Sequence, residues 1–428
     1  MSLDQIRHAQ QILNQRLLPG RDQEQIYESI SSLEHIISNI KETNTRQANR
    51  LLTQTQDLYQ IAELQRLNPN TPIQVREGLD DMTKYLSDML TRMHRTPVNP
   101  KHLLISTQAL KQQNILSTLN LSAKEYKHIP YLKAEINPQT QQAIQKTGLQ
   151  AHIEHLYSIR PQPSISHELW NLETIGLPQG WKHNAGDNTK IGVIDTGCKI
   201  THAEIHHSFT DKLGYNFIDD NQHIDDDNGH GTHVAGIISG IDTGVAPNAQ
   251  LYALKILDHN GIGVESGFLQ AAEWAIDNQL DVLNASFGSQ HASNAEKLMV
   301  QALNKHNITL VAAAGNNGDN SYSYPASYQG VISVAATNKK NVRAPFSQQN
   351  DQLTISAPGV GIHSCVPGGY DQLSGTSMAA PHVTGAVAML YTNGDKKEII
   401  PKLTSSAQEL GPSNEYGAGL LRVDKMIT

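Results

Sequence analysis

The sequence predicts an α/β fold over residues 161–428, a mainly parallel sheet with helices on both faces, preceded by a helical region and a small α+β domain. Three observations carry the prediction. From Lys190 onward, near-continuous apolar runs alternate with helical stretches, as in buried parallel strands joined by crossover helices. Of the 31 glycines only Gly20, Gly78 and Gly148 precede residue 161, so the first part should be rich in helix and the rest in turns. Before Pro97, apolar residues recur at helical spacing.

Ile26, Ile30, Leu33, Ile37 and Ile40 mark one stripe, Leu51, Leu58 and Ile61 a second, and Leu79, Met82, Leu86, Met89 and Met93 a third; Pro19 with Gly20 ends a shorter opening helix. Residues 1–97 are read as a helical N-terminal extension. It is either a bundle burying its own core or a surface kept for a regulator, carrier or delivery partner. Pro97 and Pro100 suggest a boundary, and residues 98–160 form the α+β unit. Within it the pattern gives a strand at 103–105, a helix at 108–119, one or two strands at 126–136 around Pro130, and a final strand at 151–159. A helix should begin at Asn137–Pro138, cap and first-turn proline, and stop at Gly148. In the third unit the apolar runs 191–194, 251–256, 282–285, 310–314 and 331–335 are the strands, and 267–277 and 294–305 the crossover helices.

Composition narrows the function classes. A net charge of −8 gives no basic footprint for nucleic acid and no attraction to an acidic membrane, so proteins or peptides are the expected partners. No stretch approaches the ~18 apolar residues of a membrane span. The start, Met-Ser-Leu-Asp-Gln-Ile-Arg, lacks the apolar core of a secretory signal, so a cytoplasmic location is expected, with export by a route that reads no such signal left open. Two cysteines, Cys198 and Cys365, cannot build a disulfide framework and read as buried thiols.

The chemistry lies in four stretches. Gly375 to Pro381 reads Gly-Thr-Ser-Met-Ala-Ala-Pro, a serine among small residues at the start of an apolar helix running through Val383, Val387 and Leu390. Ile191 to Gly197 reads Ile-Gly-Val-Ile-Asp-Thr-Gly, an apolar strand ending in an acid, where an α/β sheet places functional groups. Gly229 to Gly236 carries His230 into a helix of small residues, and the run from Thr309 stops at Asn316. Seen singly, His230 could be a core histidine, Asp195 a strand-end cap and Asn316 a turn residue. Their joint occurrence in the order Asp, His, Asn, Ser removes that reading.

From about Trp170 to the C-terminus these motifs resemble the subtilisin-like serine peptidases, as does the connecting text Gly-Val-Ala-Pro-Asn-Ala-Gln-Leu-Tyr-Ala-Leu-Lys-Ile-Leu from Gly244. The resemblance implies a subtilisin-like sheet and a serine endopeptidase working through an acyl-enzyme. Ser377 would attack, His230 would act as base and acid, and Asp195 would hold the imidazole. Asn316 and the Ser377 N–H would bind the oxyanion. It also implies that Gly261, Ile262 and Gly263 on one side, and Ser286, Phe287 and Gly288 on the other, hold the substrate as an added strand. Ala314, Gly315 and Ser323 would line a roomy, uncharged specificity pocket, and Glu265 would lend a remote pocket some taste for basic or polar groups. Residues 98–160 are similar in pattern to the inhibitory pro-domain of many subtilases. That implies a self-inhibited zymogen whose own N-terminal pro-domain is a partner, with a cut near residues 160–166. The closing Tyr416-Gly-Ala-Gly-Leu-Leu-Arg-Val-Asp is a family-like last turn, with no extra C-terminal domain expected.

No cofactor is expected. Between Gly240 and Val245 the chain is too short for the loop with which secreted relatives often grip calcium. Asp219, Asp220, Asp225, Asp226, Asp227 and Asn228 supply oxygens suited to calcium, but such a loop is more often simply solvated. His202, His206 and His207 have helix-compatible spacing for a metal but read better as a surface helix. His233, one turn after His230, is expected to pack rather than react. The alternative to an enzyme is a catalytically silent scaffold that keeps the cleft for binding. Among enzymes, the long N-terminal extension favours a dedicated processing peptidase over a general degrader.

Overall fold

The computed structural model describes residues 102–106, 123–136, 140, 144, 151–159, 162–163, 169–182, 184–391 and 396–426. The helical extension at 1–97, the helix at 108–119, the ends of the helix between Asn137 and Gly148, and most of the cut region at 160–166 lie outside the described residues. The described chain divides into two compact units, the second holding Lys124–Lys133 and everything from Glu154 onward.

In the first unit β1 (His102–Ser106) pairs antiparallel with β4 (Ala151–Ile153), Leu104 opposite His152. Leu103, Leu104 and Ile105 are buried, which fits the apolar run that predicted the strand. The short β2 (Ala123–Glu125) and β3 (Tyr131–Glu135), most of whose residues count with the second unit, lie either side of Pro130. Thr140 and Ile144 are helical and buried, one turn apart.

The second unit is built on a seven-stranded sheet: β7 (Lys190–Asp195), β8 (Gly214–Asn216), β9 (Gln250–Lys255), β11 (Val282–Ala285), β12 (Thr309–Ala313), β13 (Ile332–Thr337) and β14 (Ile355–Pro358), in spatial order β14-β13-β12-β11-β7-β9-β8. Every pairing in it is parallel. After the short helices α1 (Trp170–Thr174) and α2 (Leu177–Gly180), the core is continuous: Ile191 and Val193, Leu251 and Ala253, Val311 and Ala313, and Val334 and Ala336 cluster with the apolar residues of α3 (His230–Ser239) and α6 (Thr376–Tyr391). The alternate set, Ile194, Leu254, Leu283 and Leu310, is buried outside that cluster and so faces the other way, the side left to α4 (Glu265–Asp277) and α5 (Asn294–Lys305). The expected helices on both faces follow.

Chain order reverses direction between β7 and β11: β8 and β9 extend the sheet from β7 on one side, β12 to β14 from β11 on the other. The crevice at the carboxyl ends of strands beside such a reversal is where α/β sheets bind ligands. Asp195 ends β7 there, and Ser286 follows β11 there.

Three elements differ from the sequence reading. The stretch 151–159 is two strands, because β5 (Leu156–Ser158) takes another partner, β10 (Ile262–Val264), in the second unit. The break falls at Glu154, whose buried carboxylate accepts the Ser266 hydroxyl, and at His155, whose N–H reaches Glu265 Oε2 at 3.1 Å. Residues 206–208 form a short 3-10 turn and not a surface helix: His202 bonds the Gly369 carbonyl at 3.0 Å and His207 that of Pro247 at 2.7 Å. An antiparallel hairpin, β15 (Ile362–Val366) with β16 (Gly369–Ser374), precedes α6 and carries β6 (Gln162–Pro163) on its edge.

Candidate active site

Two strands end and two helices begin at the same crevice, and they bring their polar residues with them. His230 is the first residue of α3, and its Nδ1 lies 2.7 Å from Asp195 Oδ1, both side chains buried. Thr196 N–H holds the same carboxylate oxygen at 2.8 Å. Small residues make the approach possible: a β-carbon on Gly231 would stand 2.1 Å from the Gly197 carbonyl oxygen, and Gly197 has a φ of +105°. Buried Lys255 braces this turn, with its ammonium on the Thr196 and Leu257 carbonyls and 2.8 Å from Asp227.

Asp226 ties the loop before His230 together. Its Oδ1 accepts the Thr196 hydroxyl at 2.8 Å and the Gly229 N–H at 2.8 Å, and its Oδ2 accepts the Thr232 N–H at 2.9 Å and hydroxyl at 2.6 Å. Asp225 pairs with Lys199 at 3.1 Å. Asp225, Asp226 and Asp227 thus commit their carboxylates to this loop and to lysines, an arrangement that fits calcium poorly.

Ser377 is the second residue of α6, in the turn whose N–H groups have no intrahelical acceptors. Its hydroxyl donates to the Ser286 carbonyl at 2.9 Å, while His230 Nε2, buried, has no hydrogen-bond partner among the described residues. The Ser377 carbonyl would ordinarily accept the N–H of residue 381, but that residue is proline and has none. The Ser286 hydroxyl supplies the missing donor at 2.8 Å, and is itself fixed by Asn284 Nδ2 at 2.8 Å, with Thr384 on Asn284 Oδ1 at 2.8 Å.

Asn316 is oriented by Thr376, whose N–H and hydroxyl both donate to its Oδ1, at 2.9 and 2.8 Å. The Thr376 oxygen also accepts the Gly315 N–H at 3.1 Å. With its oxygen so held, the amide turns its nitrogen toward Gly375. A β-carbon there would stand 3.2 Å from Asn316 Nδ2 and 3.6 Å from the Ser377 nitrogen, so the two donors converge beside a residue with no side chain.

The two backbone edges named from sequence are brought together around the chain's own residues 156–159. In β5 Ser158 pairs with Ile262 and Tyr157 with Gly263, while Ser158 N–H reaches the Gly288 carbonyl at 3.4 Å and Ile159 N–H that of Gly261 at 3.1 Å. Phe287 contributes its ring as well as its backbone, 4.7 Å from that of Tyr157. Ser323 is buried, its hydroxyl 2.2 Å from where a β-carbon on Gly288 would stand. The side chain of Ala314 joins Ala335 and Leu353 in a small apolar cluster, and its N–H donates to the Val334 carbonyl at 3.0 Å.

Residues 186–419 match the model of the subtilase family. The chain belongs to that family. It is 41% identical over 261 residues to subtilisin DY of Bacillus licheniformis, covering 58% of this chain and 92% of that protein. It is 34% identical over 333 residues to a thermostable alkaline protease of Halalkalibacterium halodurans, covering 75% and 88%. Subtilisin E of Bacillus subtilis is 34% identical over 347 residues, covering 76% and 87%. This subtilase is accordingly a subtilisin-like serine endopeptidase.

Other titratable groups of the subtilase stand aside from this chemistry. His233 is buried with Nε2 on the Ile362 carbonyl at 3.0 Å, and burial lowers its pKa to about 3. Burial pushes the Cys365 thiol up to about 12 and that of Cys198 well above its ordinary value. Glu265 clasps the His155 backbone at the start of α4 instead of closing the remote pocket. The acid that meets the Tyr157 side chain is Glu296, whose Oε1 accepts the Tyr157 hydroxyl. It stands three residues after Ser293, where a capping-box glutamate would turn back to the Ser293 N–H. Tyr328 takes that N–H at 2.7 Å, and the carboxyl is left to face the groove.

Proposed function

We propose that Ser377, His230, Asp195 and Asn316 hydrolyse peptide bonds through an acyl-enzyme, and that the chain is made latent, with residues 156–159 seated in its own substrate groove. The observation that carries this reading is the antiparallel pairing of Leu156–Ser158 with Ile262–Val264, closed on the other side by Ser158 on Gly288. The groove continues past that segment. Ile159 is anchored at Gly261, and Gln162 pairs with Ser374, three residues before Ser377. A cut at the start of the expected 160–166 region, between Ile159 and Gln162, would separate the two anchors.

The reaction begins when the Ser377 hydroxyl turns from the Ser286 carbonyl to His230 Nε2, which takes its proton as Oγ bonds to the substrate carbonyl carbon. Asp195 keeps the imidazole oriented and stabilises its cation. Asn316 Nδ2 and the Ser377 N–H bind the oxyanion. His230 then returns the proton to the leaving amine as the C–N bond breaks. Water attacks the acyl-enzyme by the same steps in reverse, with no cofactor required.

Lys124–Lys133, which bonds α4 through the Lys127 N–H on Glu273, belongs with the inhibitory reading. A cytoplasmic location is part of the proposal, supported by two thiols that stay buried and unpaired; a tagged chain recovered only outside the cell would overturn it. For the chemistry the test is hydrolysis of casein. The Ser377→Ala variant should fold and be inactive, and full activity in that variant would refute the mechanism.

A further inference from the structure

Tyr157 is the largest fully buried side chain of the groove strand, and what surrounds it is chemically specific. Its ring lies 4.7 Å from that of Phe287 and 6.2 Å from that of Phe268, and its hydroxyl meets Glu296 Oε1. Glu296 Oε2 lies 2.9 Å from the Tyr328 hydroxyl, which is 3.0 Å from the Ser293 carbonyl and receives the Ser293 N–H at 2.7 Å.

A proton count shows what this arrangement asks of an occupant. Burial, and then the neighbouring Glu265, raise the Glu296 pKa to about 8, so the acid is mostly protonated at neutral pH. With the proton on Oε2, that oxygen donates to Tyr328, Tyr328 donates to the Ser293 carbonyl, and the Ser293 N–H is accepted in turn. Each of these groups is then satisfied except Oε1. A phenol supplies the donor that Oε1 lacks, whereas phenylalanine fills the same aromatic walls and leaves a buried acceptor unpaired.

We propose that this pocket is a tyrosine-selective subsite: the residue of an extended peptide substrate that pairs at Gly263 binds by preference as tyrosine, with Glu296 deciding against phenylalanine. The inference rests on the proposed peptidase reading, in which residues 156–159 occupy the path of substrate.

Two arms test it on the full chain. Two quenched fluorescent peptides carrying Leu-Tyr-Ser-Ile-Arg, as at residues 156–160, or its Phe counterpart should differ in kcat/KM by about tenfold or more in favour of tyrosine. Glu296→Leu should bring the two within about twofold. Equal cleavage by the wild type, or an unchanged preference in Glu296→Leu, would overturn the inference. Failure to cleave either peptide would instead count against the peptidase reading, and the second arm needs no turnover. In a Ser377→Ala chain, Tyr157→Phe should speed amide hydrogen exchange of residues 156–159 by about tenfold, and adding Glu296→Leu should restore protection, since both partners are then apolar. Unchanged exchange in Tyr157→Phe overturns the inference even if Glu296→Leu cannot be folded.

Discussion

Ser286 and Ser377 exchange two hydrogen bonds: the Ser286 hydroxyl donates to the Ser377 carbonyl at 2.8 Å, and the Ser377 hydroxyl donates to the Ser286 carbonyl at 2.9 Å. The first exists because Pro381 cannot supply the helical N–H that this carbonyl would otherwise accept. The second holds the nucleophile away from His230 while the groove contains the chain's own segment.

Ser286→Ala should therefore cost more than a typical buried serine. The Ser377 carbonyl would be left buried without its donor, a loss of about 1–3 kcal/mol in stability. Pro381→Ala should recover part of that loss in the Ser286→Ala chain beyond whatever it does to the parent, because an N–H is returned to the same carbonyl. Urea unfolding of the four chains measures this; strictly additive effects would show that the two residues do not share the carbonyl.

Asp195→Asn should lower kcat by on the order of 10⁴-fold in a chain of unchanged fold, since the amide no longer stabilises the imidazolium of His230. Steady-state kinetics on a peptide substrate gives the answer, and a drop of less than tenfold would remove Asp195 from the chemistry.

Asn316→Ala should reduce kcat by about 10²–10³-fold, the scale known for loss of one oxyanion donor in subtilisin, with KM little changed. Thr376→Val should give a smaller loss, because the Thr376 N–H still holds Asn316 Oδ1 when the hydroxyl is gone. A KM effect without a kcat effect in Asn316→Ala would mean that the amide binds ground-state substrate instead.

Stability should fall as pH rises from about 4.5 to about 8 on account of Glu296. Its ordinary value of 4.5 is raised to about 8 in the folded chain, so its stabilising share is complete below 4.5 and is lost as pH climbs through the folded value. The groups facing it are Tyr157, Tyr328 and Glu265. Comparing Ser377→Ala with Ser377→Ala/Glu296→Gln by thermal unfolding across that window should show the difference shifting steadily in favour of the glutamine chain. A pH-independent difference would contradict the assigned shift.

The sheet was legible because each central strand is an apolar run buried on both faces; Asp195 and Asn316 stand where such runs stop, and His230 and Ser377 open the helices of small residues α3 and α6. The shorter β8 and the β15–β16 hairpin left weaker traces, being polar or half exposed. Glu296 was hidden by local chemistry: Ser293 caps α5 and a glutamate three residues on reads as its capping partner, so only the distant Tyr328, by taking the Ser293 N–H, reveals another use. Ser286 was found for its backbone and missed for its hydroxyl, since the demand for that donor arises at Pro381, 95 residues away in sequence. The single strand expected at 151–159 failed for a similar reason, as the partners of β4 and β5 are far apart in the chain.

Intact mass spectrometry of the purified wild type beside Ser377→Ala tests the core of the account most directly. The wild type should lose an N-terminal fragment by a cut between about residues 155 and 170, and Ser377→Ala should keep its full 47.0 kDa. Equal cutting of both chains, or none in either, would contradict a nucleophile that Ser377 supplies against a segment its own groove holds.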